Sequence, residues 1–207
     1  MKLIQIKFRW AVPLLFLAVF SGCATTVKYN ADYLEWDIKN IEPTIQGKAL
    51  IVTESKEDNR SYSQGPSSFI GATLKVQGNF SQYLYKISES VFDRFFTEGS
   101  DQSYKLKTRS DYKVIIKPEI VHFDYRFNRL KNLFVAVTSE SSLSLYVEVF
   151  NRKGTKVFEK KYESSYVPGD TYLLSLKPAE KINKSIHKAL FKLVMEVSED
   201  VAGLQTL

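Results

Sequence analysis

Apolar side chains recur along this sequence in two periods, and each change of period marks an element. From Tyr112 the chain reads YKVIIKPEIVHFDYRF, where Val121, Phe123, Tyr125 and Phe127 alternate with His122, Asp124, Arg126 and Asn128. A period of two is that of a strand with one buried face. Pro118 donates no ladder hydrogen bond, so this strand should lie at an edge or break there. Residues 133–150 predict a second long strand, with Leu143, Leu145, Val147 and Val149 on one face. Asn151-Arg152-Lys153-Gly154 reads as a hairpin turn with glycine in the positive-φ place, returning the chain as an antiparallel strand over 155–166. Upstream, 48–53 (KALIVT) predicts a buried strand and 104–108 a short one. The stretch 54–78, rich in Ser, Gly and Gln, predicts a long loop, and Pro168-Gly169-Asp170 predicts a break.

Two segments carry the helical period. At about 100° per residue, Phe80, Leu84, Ile87, Val91 and Phe95 form one stripe, with Tyr85, Phe92 and Phe96 beside it. Asn79 is a fitting N-cap, Gln82 completes a capping-box pattern, and Gly99 stands where a helix over 80–97 should stop. Its wide apolar face reads as one buried between a sheet and a neighbouring element. Pro178 suits the first turn of a last helix over 178–200, which gathers Ile182, Ile186, Ala189, Leu190, Leu193 and Val197. Lys177, Lys181, Lys184, Lys188 and Lys192 fall opposite within about 80°, with Phe191 projecting among them. Residues 23–46 carry little pattern beyond Tyr33-Leu34-Glu35-Trp36 and read as a tether, leaving 47–207 as one domain. The prediction is an α+β fold: an antiparallel sheet of about four to five strands, with two amphipathic helices on one face and a lipidated tether in front.

The N-terminus predicts where the chain works. Lys2, Lys7 and Arg9 precede the apolar run 10–20 (WAVPLLFLAVF), about half the length a membrane-spanning helix needs, so 1–22 read as a signal peptide. Cys23, the only cysteine, follows Ser21 and Gly22. One cysteine and two histidines leave no internal disulfide and little for a metal site, and no cofactor is expected. A formal charge of +6 points first to nucleic acid or anionic membrane. Loss of 1–22 removes Lys2, Lys7 and Arg9 and halves it, and the implied compartment holds no cytoplasmic nucleic acid.

Val19-Phe20-Ser21-Gly22-Cys23 resembles the lipobox of bacterial lipoproteins, with Phe20 where such motifs usually carry Leu. The resemblance implies cleavage before Cys23 and acylation of its thiol, and Ala24 in place of an Asp implies the outer membrane. Over about 48–200 the chain is similar to the YajG-like outer-membrane lipoproteins, and more loosely to lipopolysaccharide-assembly and TolB N-terminal-type periplasmic domains. The similarity rests on the lipobox, helix 80–97, Asp111-Tyr112-Lys113-Val114-Ile115-Ile116 opening a strand, the Gly154 hairpin and the closing helix. It implies an anchored periplasmic domain that binds partners, and it brings no catalytic residues.

Searching the residues for chemistry finds no G-x-S-x-G, H-E-x-x-H, Walker or Rossmann pattern. His122 and Asp124 share a polar strand face, and His187 reads as a rim histidine of the last helix. The lysine ridge with Phe191 suits an anionic partner: lipid headgroups, lipopolysaccharide phosphates or an acidic protein. The expected function is therefore a non-enzymatic accessory, assembly or docking factor, lipid-anchored at the periplasmic face of the outer membrane, with self-association left open. The alternative is a lipid or lipopolysaccharide carrier, with the apolar face of helix 80–97 lining a cavity.

Overall fold

A computed structural model describes residues 24–53, 61–68, 75–106, 111–128, 136–173 and 178–204. The predicted leader, Cys23 and Lys177 lie outside them.

Strands β6 (Val114–Asn128), β7 (Ala136–Asn151) and β8 (Lys156–Glu163) form an antiparallel meander, as their alternation requires. Gly154 takes φ 79° in the hairpin, and the Asn151 side-chain oxygen accepts from the Lys153 and Thr155 amides at 3.0 and 3.1 Å. Leu143, Leu145, Val147 and Val149 are all buried inward. The sheet goes beyond the predicted meander, because β2 (Ala49–Val52) pairs parallel with β6, and β5 (Ser100–Ser103) parallel with β2. Parallel neighbours need a crossover, and helix α2 (Phe80–Phe95) supplies it between β2 and β5. The short strand expected at 104–108 is corrected: residues 104–106 are not strand, 107 and 108 lie outside the described residues, and β5 occupies Ser100–Ser103 just before them. The α+β class holds, with a mixed six-stranded sheet of order β5-β2-β6-β7-β8 and β9 (Val167–Leu173) on the far part of β7.

Phase fails at one point in β6. Ile120 pairs with Leu145 and His122 with Ser144, so Val121 is an extra residue in a β-bulge and is 42% exposed. A bulge inverts the alternation. Pro118 and Ile120 point inward before it, and Phe123, Tyr125 and Phe127 after it. Pro118 lies two residues past Ile116, the last residue paired to β2, so the ladder it would interrupt has already ended.

Three expectations are corrected. Pro168-Gly169-Asp170 does not break the chain but lies inside β9, where two residues oppose Ser139 across a bulge. A Cβ at Gly169 would sit 2.5 Å from the Lys181 carbonyl and 3.0 Å from Ser139 Oγ, so glycine lets the strand touch the last helix. Of the stretch 54–78, Ser61–Gln64 is strand β3 and Lys75–Asn79 strand β4, paired antiparallel. Residues 24–46 are not a loose tether. Ala24–Val27 is strand β1, parallel to β4, and a 3-10 turn at Ala31–Tyr33 and a short helix α1 (Glu35–Lys39) follow. Val27, Leu34, Ile41 and Ile45 bury their side chains in the main core, which makes these residues part of the domain.

Helices α2 and α3 (Pro178–Ala202) cover one sheet face. Asn79 caps α2 by accepting from the Gln82 amide at 3.0 Å, and Gly99 turns the chain out of it with φ 73°. Phe80, Tyr83, Leu84, Ile87, Val91 and Phe92 pack inward, so the wide face expected to line a lipid cavity is filled by core side chains. Helix α3 packs against β7, β9 and α2. Its contact with β7 runs through small residues: Ser141 Oγ and Ser185 Oγ lie 2.5 Å apart, beside Gly169.

Candidate functional site

Helix α3 carries two polar features on different sides. The first is a buried latch holding the N-terminal segment. Asn183 and His187, one turn apart, interrupt the apolar face and are 8% and 0% exposed. Asn183 Nδ2 donates to the Lys28 carbonyl at 2.7 Å, and its Oδ1 accepts from the Tyr83 hydroxyl of α2. His187 Nε2 accepts from the Asn30 amide at 2.9 Å, so Nδ1 carries the proton and donates to the Asn183 carbonyl at 2.8 Å. The ring is enclosed by three tyrosines: Tyr29 stacked at 5.2 Å, Tyr33 edge-on at 5.1 Å and Tyr83 tilted at 4.8 Å. Burial lowers the pKa of His187 to about 4, against the opposing bond to Asn183, because an imidazolium would lose its water. Burial likewise pushes the Tyr83 phenol above its ordinary value. The histidine expected at the rim is therefore a neutral core residue. The signal that could have located it is the i, i+4 spacing of Asn183 and His187 within an apolar stripe.

The second feature is the lysine ridge, which the fold divides. Asp170 of β9 approaches Lys184 Nζ at 3.0 Å and Lys181 Nζ at 3.5 Å. Burial disfavours the Asp170 carboxylate, but hydrogen bonding and charge from Lys184, then Lys181, outweigh it and hold its pKa below the usual range. Lys192 reaches Glu196 at 3.9 Å along its own helix, and Lys188 has no ion-pair partner among the described residues. Phe191 does not project among the lysines as expected: it is half-buried and packs against the main core. Asp170 was missed because its lysine contacts depend on β9 being a strand.

Elsewhere, His122 is exposed beside the bulge, while Asp124 accepts from the Tyr166 hydroxyl and from the Tyr125 amide at 2.8 Å. Among the described residues no cluster of three or more His, Cys, Asp or Glu could hold a metal, and no helix is long and apolar enough to cross a membrane. An open cavity of about 290 Å³ lies where α3 ends, lined by Thr44, Ile45, Gln46, Lys113, Val201 and Leu204. No constellation there joins a nucleophile to a base.

No protein-family model matches the chain, and no curated protein matches its sequence. Solved structures do. Protein XCC0632 from Xanthomonas campestris, of family DUF330, aligns over 87% of this chain and 96% of its own, with 8% identity and a TM-score of 0.50. The minor lipoprotein of Acinetobacter baumannii aligns over 75% and 92% with 8% identity and a TM-score of 0.37. Lipoprotein B of Nitrosomonas europaea aligns over 78% and 87% with 10% identity and a TM-score of 0.37. What the chain shares with XCC0632 at such identity is its fold, an α+β layer of helices on one face of a mixed sheet.

Proposed function

We propose that the chain is a lipoprotein anchored through Cys23 at the periplasmic face of the outer membrane, where it serves a larger envelope assembly as a non-enzymatic docking factor. One observation carries the reading: the lone cysteine, behind a leader of signal-peptide form, stands immediately before the first strand of the folded domain. Acyl chains on that thiol supply the membrane affinity, at about 0.8 kcal/mol for each buried methylene. The narrower likeness to the YajG-like lipoproteins belongs to the same reading. Docking is favoured over carriage of a lipid because the wide face of α2 is occupied by core side chains. Within this reading Lys188 is the part of the ridge left for an anionic partner, since Asp170 already engages Lys181 and Lys184 and Glu196 faces Lys192.

The test is metabolic labelling with palmitate of the full chain and of Cys23→Ala, followed by separation of inner from outer membranes. Label and outer-membrane residence should both be lost in the variant. Equal label in the two proteins would refute the anchor. Crosslinking in intact envelopes, followed by purification of the acylated chain, then identifies the protein it serves.

A further inference from the structure

We infer that β8 is a self-complementary edge, through which two copies of this chain pair antiparallel about a two-fold axis at Lys160. The pairing goes beyond the docking role proposed above and does not depend on an anchor at Cys23.

Among the described residues the edge is open. Strand β8 ends the sheet order, with β7 on one side and no strand on the other, while β9 lies farther along β7 and pairs with β7 alone. The register shows which backbone groups are left over. The Ser164 amide donates to the Leu143 carbonyl at 2.9 Å, so these two form a bonded pair just past the end of β8. In an antiparallel ladder bonded pairs recur at every second residue. Tyr162 with Leu145, Lys160 with Val147 and Phe158 with Val149 therefore direct their amides and carbonyls to β7. Those of Glu159, Lys161 and Glu163 face the open edge. No proline or glycine interrupts the strand to turn a second one away.

Side chains follow the same alternation, because directly opposed residues share a face. Leu145, Val147 and Val149 are buried against the helices, which puts Phe158, Lys160 and Tyr162 on that face. Glu159, Lys161 and Glu163 stand on the outer face, and all three are exposed. Lysines alone on an edge repel a second strand. Here the outer face alternates in sign instead. Within one copy Glu159 pairs with Lys156 and Lys161 with Glu163, but these are exposed contacts, which contribute little and exchange readily.

A two-fold axis through the edge sets one residue against its own copy and its neighbours against each other in reverse order. Centred on Lys160, it places Glu159 opposite the partner's Lys161 and Lys161 opposite the partner's Glu159, at the positions whose backbone bonds are free. On the helix face Phe158 comes beside the partner's Tyr162. The like charges on the axis are offset within each copy, since Asp200 holds Lys160 Nζ at 2.7 Å. Other centres fit less well. About Lys161, that lysine faces itself and Glu159 faces the partner's Glu163. About Glu159, that carboxylate faces itself, and about Phe158 the pairing meets the bulge at Val157. About Tyr162, Lys161 meets the partner's Glu163, but the strand ends there and the overlap shrinks to 161–163. An interface built on one strand is small, so the association is weak and reversible.

Sedimentation equilibrium of the chain from Cys23 onward tests the pairing, in reductant so that the lone thiol cannot crosslink two copies. Between low micromolar and near-millimolar concentration the wild type should pass from monomer to dimer. Glu159→Lys and Lys161→Glu each turn two cross-strand attractions into repulsions, and each should weaken the association about tenfold. Mixed together, the two variants should recover the wild-type association, because each supplies the charge that the other lacks. Both positions are exposed, so thermal unfolding of the variants should match that of the wild type and exclude misfolding as the cause. A wild type that stays monomeric throughout, or dimers that neither reversal weakens, would overturn the inference. So would weakening by Lys161→Glu alone, or two variants that do not recombine.

Discussion

Protonating His187 should loosen the N-terminal segment, and the size of the effect follows from its surroundings. The ring is fully buried, and its Nε2 accepts the Asn30 amide, a bond that an imidazolium cannot make. The folded pKa of about 4 lies below the ordinary 6.5, so the unfolded chain binds the proton more readily. The stability held by neutral His187 is therefore complete above pH 6.5 and is lost as the pH falls through about 4. Two and a half units of pKa are worth about 3 kcal/mol in full, of which roughly 2 kcal/mol falls between pH 7 and pH 5. Other groups titrate over the same range, so the quantity to read is the difference between wild type and His187→Gln. Urea unfolding followed by circular dichroism at several pH values gives it. The variant starts less stable, having lost its fit among Tyr29, Tyr33 and Tyr83. Its stability should then fall by about 2 kcal/mol less than that of wild type from pH 7 to pH 5. Parallel pH profiles for the two proteins would show that His187 is not held neutral and that the latch is wrongly described.

The remaining predictions concern packing and can be read by the same unfolding experiment at pH 7. Tyr83→Phe leaves the buried Asn183 Oδ1 without its donor and should cost about 1–3 kcal/mol, whereas Tyr146→Phe, at an exposed bond to Glu159, should cost little. Gly169→Ala forces a methyl against the Lys181 carbonyl and Ser139, and should cost about 1–3 kcal/mol with α3 displaced from β9, visible as faster amide exchange in Asp170 and Thr171. Leu190→Ala should cost about 2–5 kcal/mol, because Leu190 is fully buried between helix and sheet. Lys188→Ala, on the same helix without an ion pair, should stay within about 0.5 kcal/mol; equal costs for these two would mean that the helix is turned about its axis.

What could be read from the sequence was whatever local periodicity controls. The phase of β7, the N-cap at Asn79, the Gly154 hairpin and the inward stripes of both helices follow from spacings within a single element, and each stands in the structure. What depends on contacts between distant segments was not legible. Residues 24–34 look like polar linker because their partners lie on α2 and α3: Tyr83 against the Tyr29 ring, Asn183 on the Lys28 carbonyl and His187 on the Asn30 amide. Val121 looks inward by alternation until the bulge opposite Ser144 and Leu145 reverses it. Pro168 and Gly169 look like a break, yet the proline sits on an edge strand and the glycine where a helix presses close. Lys181, Lys184, Lys188 and Lys192 recur along α3 at the spacings the sequence shows, but the carboxylate that engages the first two, Asp170, comes from that unforeseen strand. No pattern in the sequence marks Asp170 as a partner.

The central claim is that the segment following Cys23 is part of the folded domain, with Asn30 bonded to a buried histidine. Hydrogen exchange of the chain from Cys23 onward, resolved to single amides over residues 24–34, tests this most directly. The account predicts that the Asn30 amide, which donates to His187 Nε2 at 2.9 Å, exchanges as slowly as amides in the middle of α3, and that His187→Gln accelerates it. Exchange of Asn30 and its neighbours at the rate of an unstructured peptide, unchanged by His187→Gln, would contradict it and return these residues to a tether.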